Sequence, residues 1–253
     1  MFSPLVRIAC LLFSLLTASN VGAETLRFAT ESFPPFNYQE EGAASGPMVK
    51  IVQSVCGQMK VECKIELLPW RRALLSVEQG EADGIFSLLK VPERARIFHF
   101  STPVIETAYA IYAREGSKFV YRNNQDLAGH TIGVYGPSGT SITLDDLLKS
   151  VQGVKTVMEI DNISVLRLLS TGGYGGDGLI FANRDVADFL MRRAGIKNLR
   201  KVVDARKIQY SIAFSKVSVS QDLFKRFDDT LNAQIKNGTI KVILEKYDLK
   251  PAS

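Results

Sequence analysis

The chain has 253 residues, of which 46% are hydrophobic and 23% are charged, and its formal net charge is +5. This mild charge, without any lysine-rich run, argues against a nucleic-acid partner. Beyond residue 23 no apolar stretch approaches the roughly 18 residues that a membrane-spanning helix needs, so we expect a soluble protein with one large or two small domains.

The first 23 residues have the pattern of a secretory signal peptide. Arg7 supplies a positive charge, residues 8–16 form a short apolar run, and Val21 and Ala23 are small residues of the kind found before a signal peptidase site. We therefore expect cleavage after Ala23 and export to the periplasm, with an uncleaved signal anchor as the alternative. Cys10 lies inside the apolar run, and this position does not favour lipidation.

Two cysteines remain after the predicted cleavage, Cys56 and Cys63. In an oxidising compartment such a pair predicts a disulfide, which would stabilise the fold by about 2–3 kcal/mol on a chain-entropy model. A metal site is the alternative, but no other Cys or His lies nearby in the sequence to complete four ligands. We therefore expect neither a metal nor a cofactor.

Strands and helices alternate through the exported part of the chain. Strands are predicted at 26–30, 63–68, 82–86, 108–114, 131–135, 155–159, 179–181 and 208–214. Helices are predicted from Pro47, at 71–78, 141–150, 163–170 and 186–194, from the cap Ser220 to Gly238, and from Thr239 to Tyr247. This alternation is typical of an α/β fold with parallel sheets. The strands at 108–114 and 208–214 are interpreted as links between two lobes.

Candidate binding residues follow the predicted strands, at the edge where an open α/β sheet binds its ligands. Trp70, the only Trp of the chain, precedes Arg71 and Arg72. This pattern suits stacking combined with anion recognition, although a lone Trp is more often part of a core. Arg94 follows the third strand and could bind a carboxylate through two parallel hydrogen bonds. A surface ion pair with a neighbouring acid is the alternative.

A second candidate is the segment 136–141 (GPSGTS), which joins a strand to a helix. The amides of Ser138, Gly139, Thr140 and Ser141 would lie at the helix N-terminus, where partial positive charge favours an anion. Simple capping of the helix by Thr140 or Ser141 is the alternative, and both roles are compatible.

Motifs for catalysis are missing from the sequence. Only His99 and His130 are present, and neither the G-x-S-x-G nor the H-E-x-x-H pattern occurs. Residues 173–178 (GYGGDG) match the dinucleotide fingerprint, but they follow a predicted helix and enter a strand, which is the reverse of the order that this motif needs. We interpret them as a turn.

Seven stretches, in order, resemble the extracellular solute-binding proteins of family 3, the periplasmic partners of polar amino-acid ABC transporters. They are LRFATESFPPFNY, SGPMVKIV, PWRRALLSVEQGEADG, PERARIFHFSTPV, DLAGHTIGVYGPSGTS, DGLIFANRDVADFL and LNAQIKNGTIKVILEKY. The resemblance covers nearly all of residues 25–248. It implies a two-lobed periplasmic-binding-protein fold, two open α/β domains joined by a two-strand hinge. Lobe one would be residues 24–113 and 209–253, and lobe two residues 114–208.

Carried over by position, the resemblance implies that Arg94 binds the ligand's α-carboxylate and that Thr140 with its neighbours completes that site. It also implies that Glu31, Phe33 and Trp70 lie at the cleft.

Two departures from the family pattern bear on the ligand. Amino-acid binders of this family carry an acid in lobe two for the α-ammonium group, whereas here Ala182 falls at that position, or Asn183 with a gap, and Asp185 is displaced. Leu89 replaces the usual hydroxyl residue five positions before Arg94. These departures, together with the paired arginines after Trp70, predict a ligand with net negative charge.

The expected function is therefore binding, not catalysis. A monomer would capture a small polar or anionic molecule, an amino acid or a related carboxylate, and deliver it to an ABC transporter membrane permease. A periplasmic sensor for a signalling partner is the first alternative. An enzyme is the second, because cyclohexadienyl dehydratase resembles this fold; that activity would need an acid or base in the cleft, and Glu31 is the candidate.

Overall fold

A computed structural model describes residues 24–252. The predicted signal peptide, with Cys10 and cleavage after Ala23, lies outside these residues and stays a prediction. The helices are α1 (Pro47–Met59), α2 (Trp70–Glu78), α3 (Pro92–Ile97), α4 (Gly139–Leu148), α5 (Asn162–Thr171), α6 (Arg184–Ala194), α7 (Gln221–Lys236) and α8 (Thr239–Glu245). The strands are β1 (Thr25–Thr30), β2 (Tyr38–Glu40), β3 (Ala43–Ser45), β4 (Glu62–Leu67), β5 (Gly84–Leu89), β6 (Phe98–Phe100), β7 (Ile105–Arg114), β8 (Thr131–Tyr135), β9 (Lys155–Glu159), β10 (Leu179–Asn183), β11 (Leu199–Ser215) and β12 (Lys250–Pro251).

One large sheet runs through both halves of the described chain in the order β4-β1-β5-β11-β7-β10-β8-β9, with β6 and β12 paired to β11 and β7, while β2 and β3 form a separate hairpin. At one end β1 pairs with β4 and β5 in parallel, and at the other end β8 pairs with β9 and β10 in parallel. The first set belongs to lobe one and the second to lobe two, while the antiparallel pair β7 and β11 runs through the middle. The predicted two-lobed α/β architecture is therefore present.

The linking strand β11 is much longer than predicted. It runs from Leu199 to Ser215, whereas the sequence predicted a strand only at 208–214. Its register against β7 shifts between Lys201 and Val203 and again between Asp204 and Arg206. Each shift breaks the alternation of apolar and polar side chains that a strand prediction relies on, so residues 199–207 gave no strand pattern. The proposed lobe boundaries, 113/114 and 208/209, fall inside the two linking strands.

Helices cover both faces of the sheet. Because side chains alternate along a strand, Phe28 and Phe86 lie in one core, whereas Ala29 and Ile85 lie in the other. The first core includes apolar residues of α1, α4, α7 and α8, and the second includes those of α2 and α5. None of the helices in residues 24–252 is long and apolar enough to cross a membrane.

The helix ends follow local chemistry. Pro47 occupies the first turn of α1, where its missing N–H costs nothing, and Lys60 ends that helix in the left-handed region. Ser220 caps α7 as predicted, since its hydroxyl accepts from the Leu223 amide at 3.2 Å. The helix itself ends at Lys236, and Gly238 precedes α8.

Several predicted boundaries were wrong. Strand β5 lies at 84–89 and not 82–86, α4 begins at Gly139 and not at 141, and α8 ends at Glu245 and not at Tyr247. Helix α3 and strand β6 were missed because they have only six and three residues, too few to show a periodic pattern. The hairpin of β2 and β3 was also missed, although Glu41 and Gly42 adopt the positive φ angles of a tight two-residue turn.

The predicted disulfide is confirmed. Cys56 in α1 and Cys63 in β4 are bonded, with their Cα atoms 6.1 Å apart. The bond ties the first helix to the edge strand of lobe one, on the side of the sheet that α1 covers.

Candidate ligand cleft

A small cavity lies where the carboxyl ends of β1, β4 and β5 meet the carboxyl end of β8. Its volume is about 20 Å³, which is room for one water molecule. The lining residues come from both lobes and from the linking strands: Glu31, Phe33, Trp70, Ser87, Leu89, Arg94, Tyr109, Tyr135, Ser138, Gly139, Thr140 and Tyr210. The edge of the sheet that the sequence indicated is therefore a shared boundary between the two lobes.

Seven of the ten predicted site residues line this cavity, namely Glu31, Phe33, Trp70, Arg94, Ser138, Gly139 and Thr140. The structure brings these residues together from four separate segments of the chain. Their roles in binding stay predictions.

The other three predicted residues lie outside the cavity. Arg71 is exposed on α2 and lines a neighbouring groove. Ser141 is buried in the first turn of α4, where its hydroxyl accepts from the Ser138 amide at 3.0 Å. Asn183 is fully buried, and its side chain accepts from the Val186 amide at 3.1 Å, which caps α6.

Arg94 is the dominant charge of the site. Arg94 is only 7% exposed, and one of its guanidinium nitrogens donates to the Leu89 carbonyl at 3.1 Å. No acidic side chain within residues 24–252 forms an ion pair with it. Burial lowers the pKa of Arg94, but an arginine stays charged in any protein environment. The cleft therefore holds a buried positive charge that lacks a carboxylate partner.

Trp70 supports that charge from lobe one. It begins α2 directly after Pro69, and the Arg94 guanidinium lies 5.6 Å from the ring centroid. This geometry permits a cation–π contact. The indole thus forms one wall beside Arg94, and the predicted combination of aromatic and arginine is present, but with Arg94 and not with the adjacent Arg71.

Glu31 connects the two lobes. The Tyr135 hydroxyl, at the end of β8, donates to the Glu31 carboxylate across the cavity at 2.7 Å. Burial of that carboxyl raises its pKa to about 7, and the Tyr135 hydrogen bond opposes this shift only in part. Burial therefore favours the protonated form of the Glu31 carboxyl, although the residue as a whole keeps some exposure.

Tyr109 and Tyr210 form the floor of the cavity, one from each linking strand. Both are almost fully buried, and Tyr210 donates to Tyr109 at 3.3 Å. Tyr109 also hydrogen-bonds with the Thr140 side chain, and burial is the main cause that raises both tyrosine pKa values. The floor is therefore uncharged.

The first turn of α4 approaches lobe one closely. Ser138, and not Thr140 or Ser141, is the cap residue, and its hydroxyl accepts from the Thr140 amide at 3.1 Å. A methyl group added to Gly139 would lie 3.0 Å from the Tyr109 hydroxyl and 3.2 Å from Leu89 Cβ. Such contacts are tighter than most that side chains make, so a side chain at position 139 would require Tyr109 or Leu89 to shift by a few tenths of an ångström.

Asp185, the displaced acid that could receive an α-ammonium group, is engaged by other side chains. Asp185 accepts from the Thr107 hydroxyl at 2.5 Å and pairs with Arg184 at 3.2 Å. The Asn183 amide donates to Thr107 and to Tyr210, each at 3.2 Å. Neither residue lines the cavity, so Glu31 is the one carboxyl among the lining residues.

The sequence did not place five of the lining residues in the cavity, namely Ser87, Leu89, Tyr109, Tyr135 and Tyr210. The linking strands were interpreted only as connections, although alternate side chains of any strand at this position must face the cleft. Within residues 24–252 no group of three His, Cys, Asp or Glu side chains could hold a metal ion.

Comparison with known proteins agrees with this geometry. The model of bacterial extracellular solute-binding proteins, family 3, matches residues 26–250. The L-cystine-binding protein TcyJ of Escherichia coli (strain K12) is 24% identical over 225 residues, 85% of this chain and 79% of TcyJ. The amino-acid-binding protein AabA of Dichelobacter nodosus is 25% identical over 242 residues, 92% of this chain and 90% of AabA.

Among solved structures, a histidine kinase sensor domain with similarity to periplasmic binding proteins has a TM-score of 0.81 at 20% identity. The match covers 91% of this chain and 99% of that domain. It confirms the predicted fold. The matched family and the two named relatives are binding proteins, which agrees with the expectation of binding rather than catalysis.

Proposed function

This chain belongs to the bacterial extracellular solute-binding proteins of family 3, and from that premise we propose that it captures a small carboxylate between its lobes for import by an ABC transporter. The observation that carries the proposal is Arg94, a buried guanidinium without a paired acid. A ligand carboxylate would supply the missing partner.

Physical cost favours this role over a structural one. A buried charge without a counter-ion costs several kcal/mol, so proteins rarely keep one for stability alone. A carboxylate that pairs with Arg94 in the closed cleft would recover that cost as binding energy. The first-turn amides of α4, contributed by the opposite lobe, would add partial positive charge on the same side.

Charge around the cavity favours an anion over a zwitterion. Asp185 and Asn183 are both engaged by other side chains, so no acid is available at the family's ammonium position. Glu31 is the counter-evidence, because its carboxylate could receive an ammonium group from another direction. Burial raises the pKa of Glu31, however, and so disfavours the charged carboxylate that an ammonium group would need.

Delivery would involve a membrane permease and would require the chain to act in the periplasm. The predicted export signal and the closed arrangement of the two lobes support this part of the proposal. The Tyr135–Glu31 hydrogen bond and the close approach of Gly139 to Leu89 would stabilise the closed form that a permease recognises.

Mass spectrometry of molecules released from the natively purified protein tests the proposal. We expect enrichment of a carboxylate without an α-amino group, and loss of that enrichment in Arg94→Gln. Enrichment of a basic amino acid, or equal enrichment by wild type and variant, would contradict it.

Periplasmic sensing is a second candidate, because the fold matches that of a histidine kinase sensor domain. Once the ligand is known, measuring its uptake by cells that lack this protein distinguishes transport from sensing. Loss of uptake supports transport, whereas normal uptake with loss of a transcriptional response supports sensing.

A further inference from the structure

A groove runs beside the cavity, between α2 and α3 of lobe one and the start of α4 of lobe two. We call it the outer groove. Its volume is about 710 Å³, and its lining is mostly apolar. Small-molecule sites are typically a few hundred to a thousand Å³ and mainly apolar, with a few polar groups. The cavity alone, at about 20 Å³, falls far below that range.

The two spaces share a wall. Trp70, Arg94 and Ser138 line both the cavity and the outer groove. Arg94 is thus the one charged residue that borders both spaces. A molecule whose carboxylate binds Arg94 would extend into the outer groove, since the cavity alone is too small to hold such a molecule.

Exposed apolar side chains mark the outer groove on both lobes. Leu75 of α2 is 49% exposed, Ile97 of α3 is 42% exposed and Ile142 of α4 is 42% exposed. Single exposed apolar residues are ordinary on a protein surface, but three that face one groove from three helices form a surface that an apolar group would cover.

The remaining charges of the outer groove balance one another. Arg71 and Arg72 line it on one side, and Glu78 and Glu93 line it as well. The groove beyond Arg94 therefore has no net charge that would favour a second anionic end, and its apolar surface favours an uncharged tail.

We infer that the ligand is an amphipathic monocarboxylate whose carboxylate binds Arg94 and whose apolar tail lies in the outer groove against Leu75, Ile97 and Ile142. This inference rests on the proposed function, because it assumes a carboxylate at Arg94. It departs from a ligand enclosed wholly within the cleft, and it names chain length as a determinant of affinity.

Isothermal titration with straight-chain carboxylates from acetate to octanoate tests the inference. Each methylene buried in the outer groove should strengthen binding about fourfold. In Leu75→Ser and Ile142→Ser the dependence on chain length should flatten, so that the ratio of octanoate affinity to acetate affinity falls below that of wild type. Both residues are exposed, so these variants keep the core intact. Val242→Ser, a matched change at an exposed apolar residue of α8, should leave the series unchanged.

Failure of this inference and failure of the proposed function give different results. If octanoate binds no better than acetate, while acetate binding still depends on Arg94, the outer groove has no role in ligand binding and the Arg94 site stands. If Val242→Ser flattens the series as strongly as the groove variants do, the tail binds nonspecifically and the inference is overturned. If no carboxylate binds, both are overturned.

Discussion

The two sides of the cleft differ in chemistry. Lobe one contributes Glu31, which directly follows β1, and Trp70 and Arg94, which lie in the first turns of α2 and α3. Lobe two contributes only uncharged groups to the cavity, the Tyr135 hydroxyl and the capped first turn of α4. This division suggests that lobe one recognises the charge of the ligand, whereas lobe two closes over it with hydroxyls and amides.

The difference follows from local structure. Arg94 and Trp70 are both buried and contact each other within lobe one. The α4 turn satisfies its own hydroxyls by capping, and Gly139 approaches Tyr109 and Leu89 closely. We therefore expect lobe one to determine which ligand charge is bound, and lobe two to determine how closely the lobes approach.

The largest expected effect is at Arg94. Arg94→Gln should weaken ligand binding by about 2–5 kcal/mol, because a buried charged hydrogen-bonded pair is lost. The ligand-free variant should melt no lower than wild type, since an unpaired buried charge is removed. Calorimetric titration and circular dichroism melting measure the two quantities. Arg71→Gln is the matched control, because Arg71 is exposed outside the cavity. Equal losses of ligand affinity in both variants would contradict the claim that Arg94 is the dominant charge contact.

The disulfide should affect stability alone. Replacing both Cys56 and Cys63 by serine should lower the free energy of unfolding by about 2–3 kcal/mol. Ligand affinity should stay unchanged, because the bond joins α1 to β4 away from the cleft. Urea unfolding and calorimetry check both statements. Thiol counting of the denatured, non-reduced wild type should find none free in the mature chain, and two reactive thiols would contradict the bond.

Glu31 should make stability depend on pH. Its folded-state pKa is raised to about 7 from an ordinary 4.5, so the folded state binds the proton more tightly than the unfolded state does. The resulting stabilisation is complete below about pH 4.5 and is lost as pH rises through 7, a change on the order of 1–3 kcal/mol. Urea unfolding at pH 5 and pH 8 measures it, and Glu31→Gln should remove this part of the slope. An identical slope in the variant would assign the effect to other groups.

The smallest effect concerns closure. Tyr135→Phe removes the interlobe hydrogen bond to Glu31 and should destabilise the closed form by about 0.5–1.5 kcal/mol. Fluorescence transfer between labels on the two lobes should show more of the open form without ligand. Tyr174→Phe is the matched control, because its hydroxyl bonds Glu159 within lobe two at 3.3 Å. An equal shift in both variants would show that Tyr135 does not join the lobes.

The sequence was enough to predict the charged side of the cleft. Arg94, Trp70 and Glu31 each follow a strand, and strand ends in an open α/β sheet define the ligand edge. The position of these three residues in the sequence was therefore enough to place them at the ligand edge of the sheet. The disulfide was predictable because, among residues 24–253, Cys56 and Cys63 have only each other as a cysteine partner.

The uncharged side of the cleft was harder to predict. Tyr109 and Tyr210 lie within linking strands, and which alternate residues face the cleft depends on the register of β7 against β11, including its bulges. Tyr135 ends a correctly predicted strand, but its contact with Glu31 depends on how the two lobes are placed relative to each other, which the sequence pattern does not give. Asn183 was placed in the site by position alone, whereas its amide is used to cap α6 and to bind Tyr210.

The central claim is that lobe one selects a carboxylate without requiring an ammonium group. A thermal-shift panel of dicarboxylates, monocarboxylates, acidic, neutral and basic amino acids tests it most directly. A ligand stabilises the folded state by about 2.7 kcal/mol at a hundredfold excess over its dissociation constant, so the shifts rank the classes. We predict that an anionic carboxylate without an α-amino group gives the largest shift, and that Arg94→Gln abolishes it. The largest shift from lysine or arginine would contradict the claim.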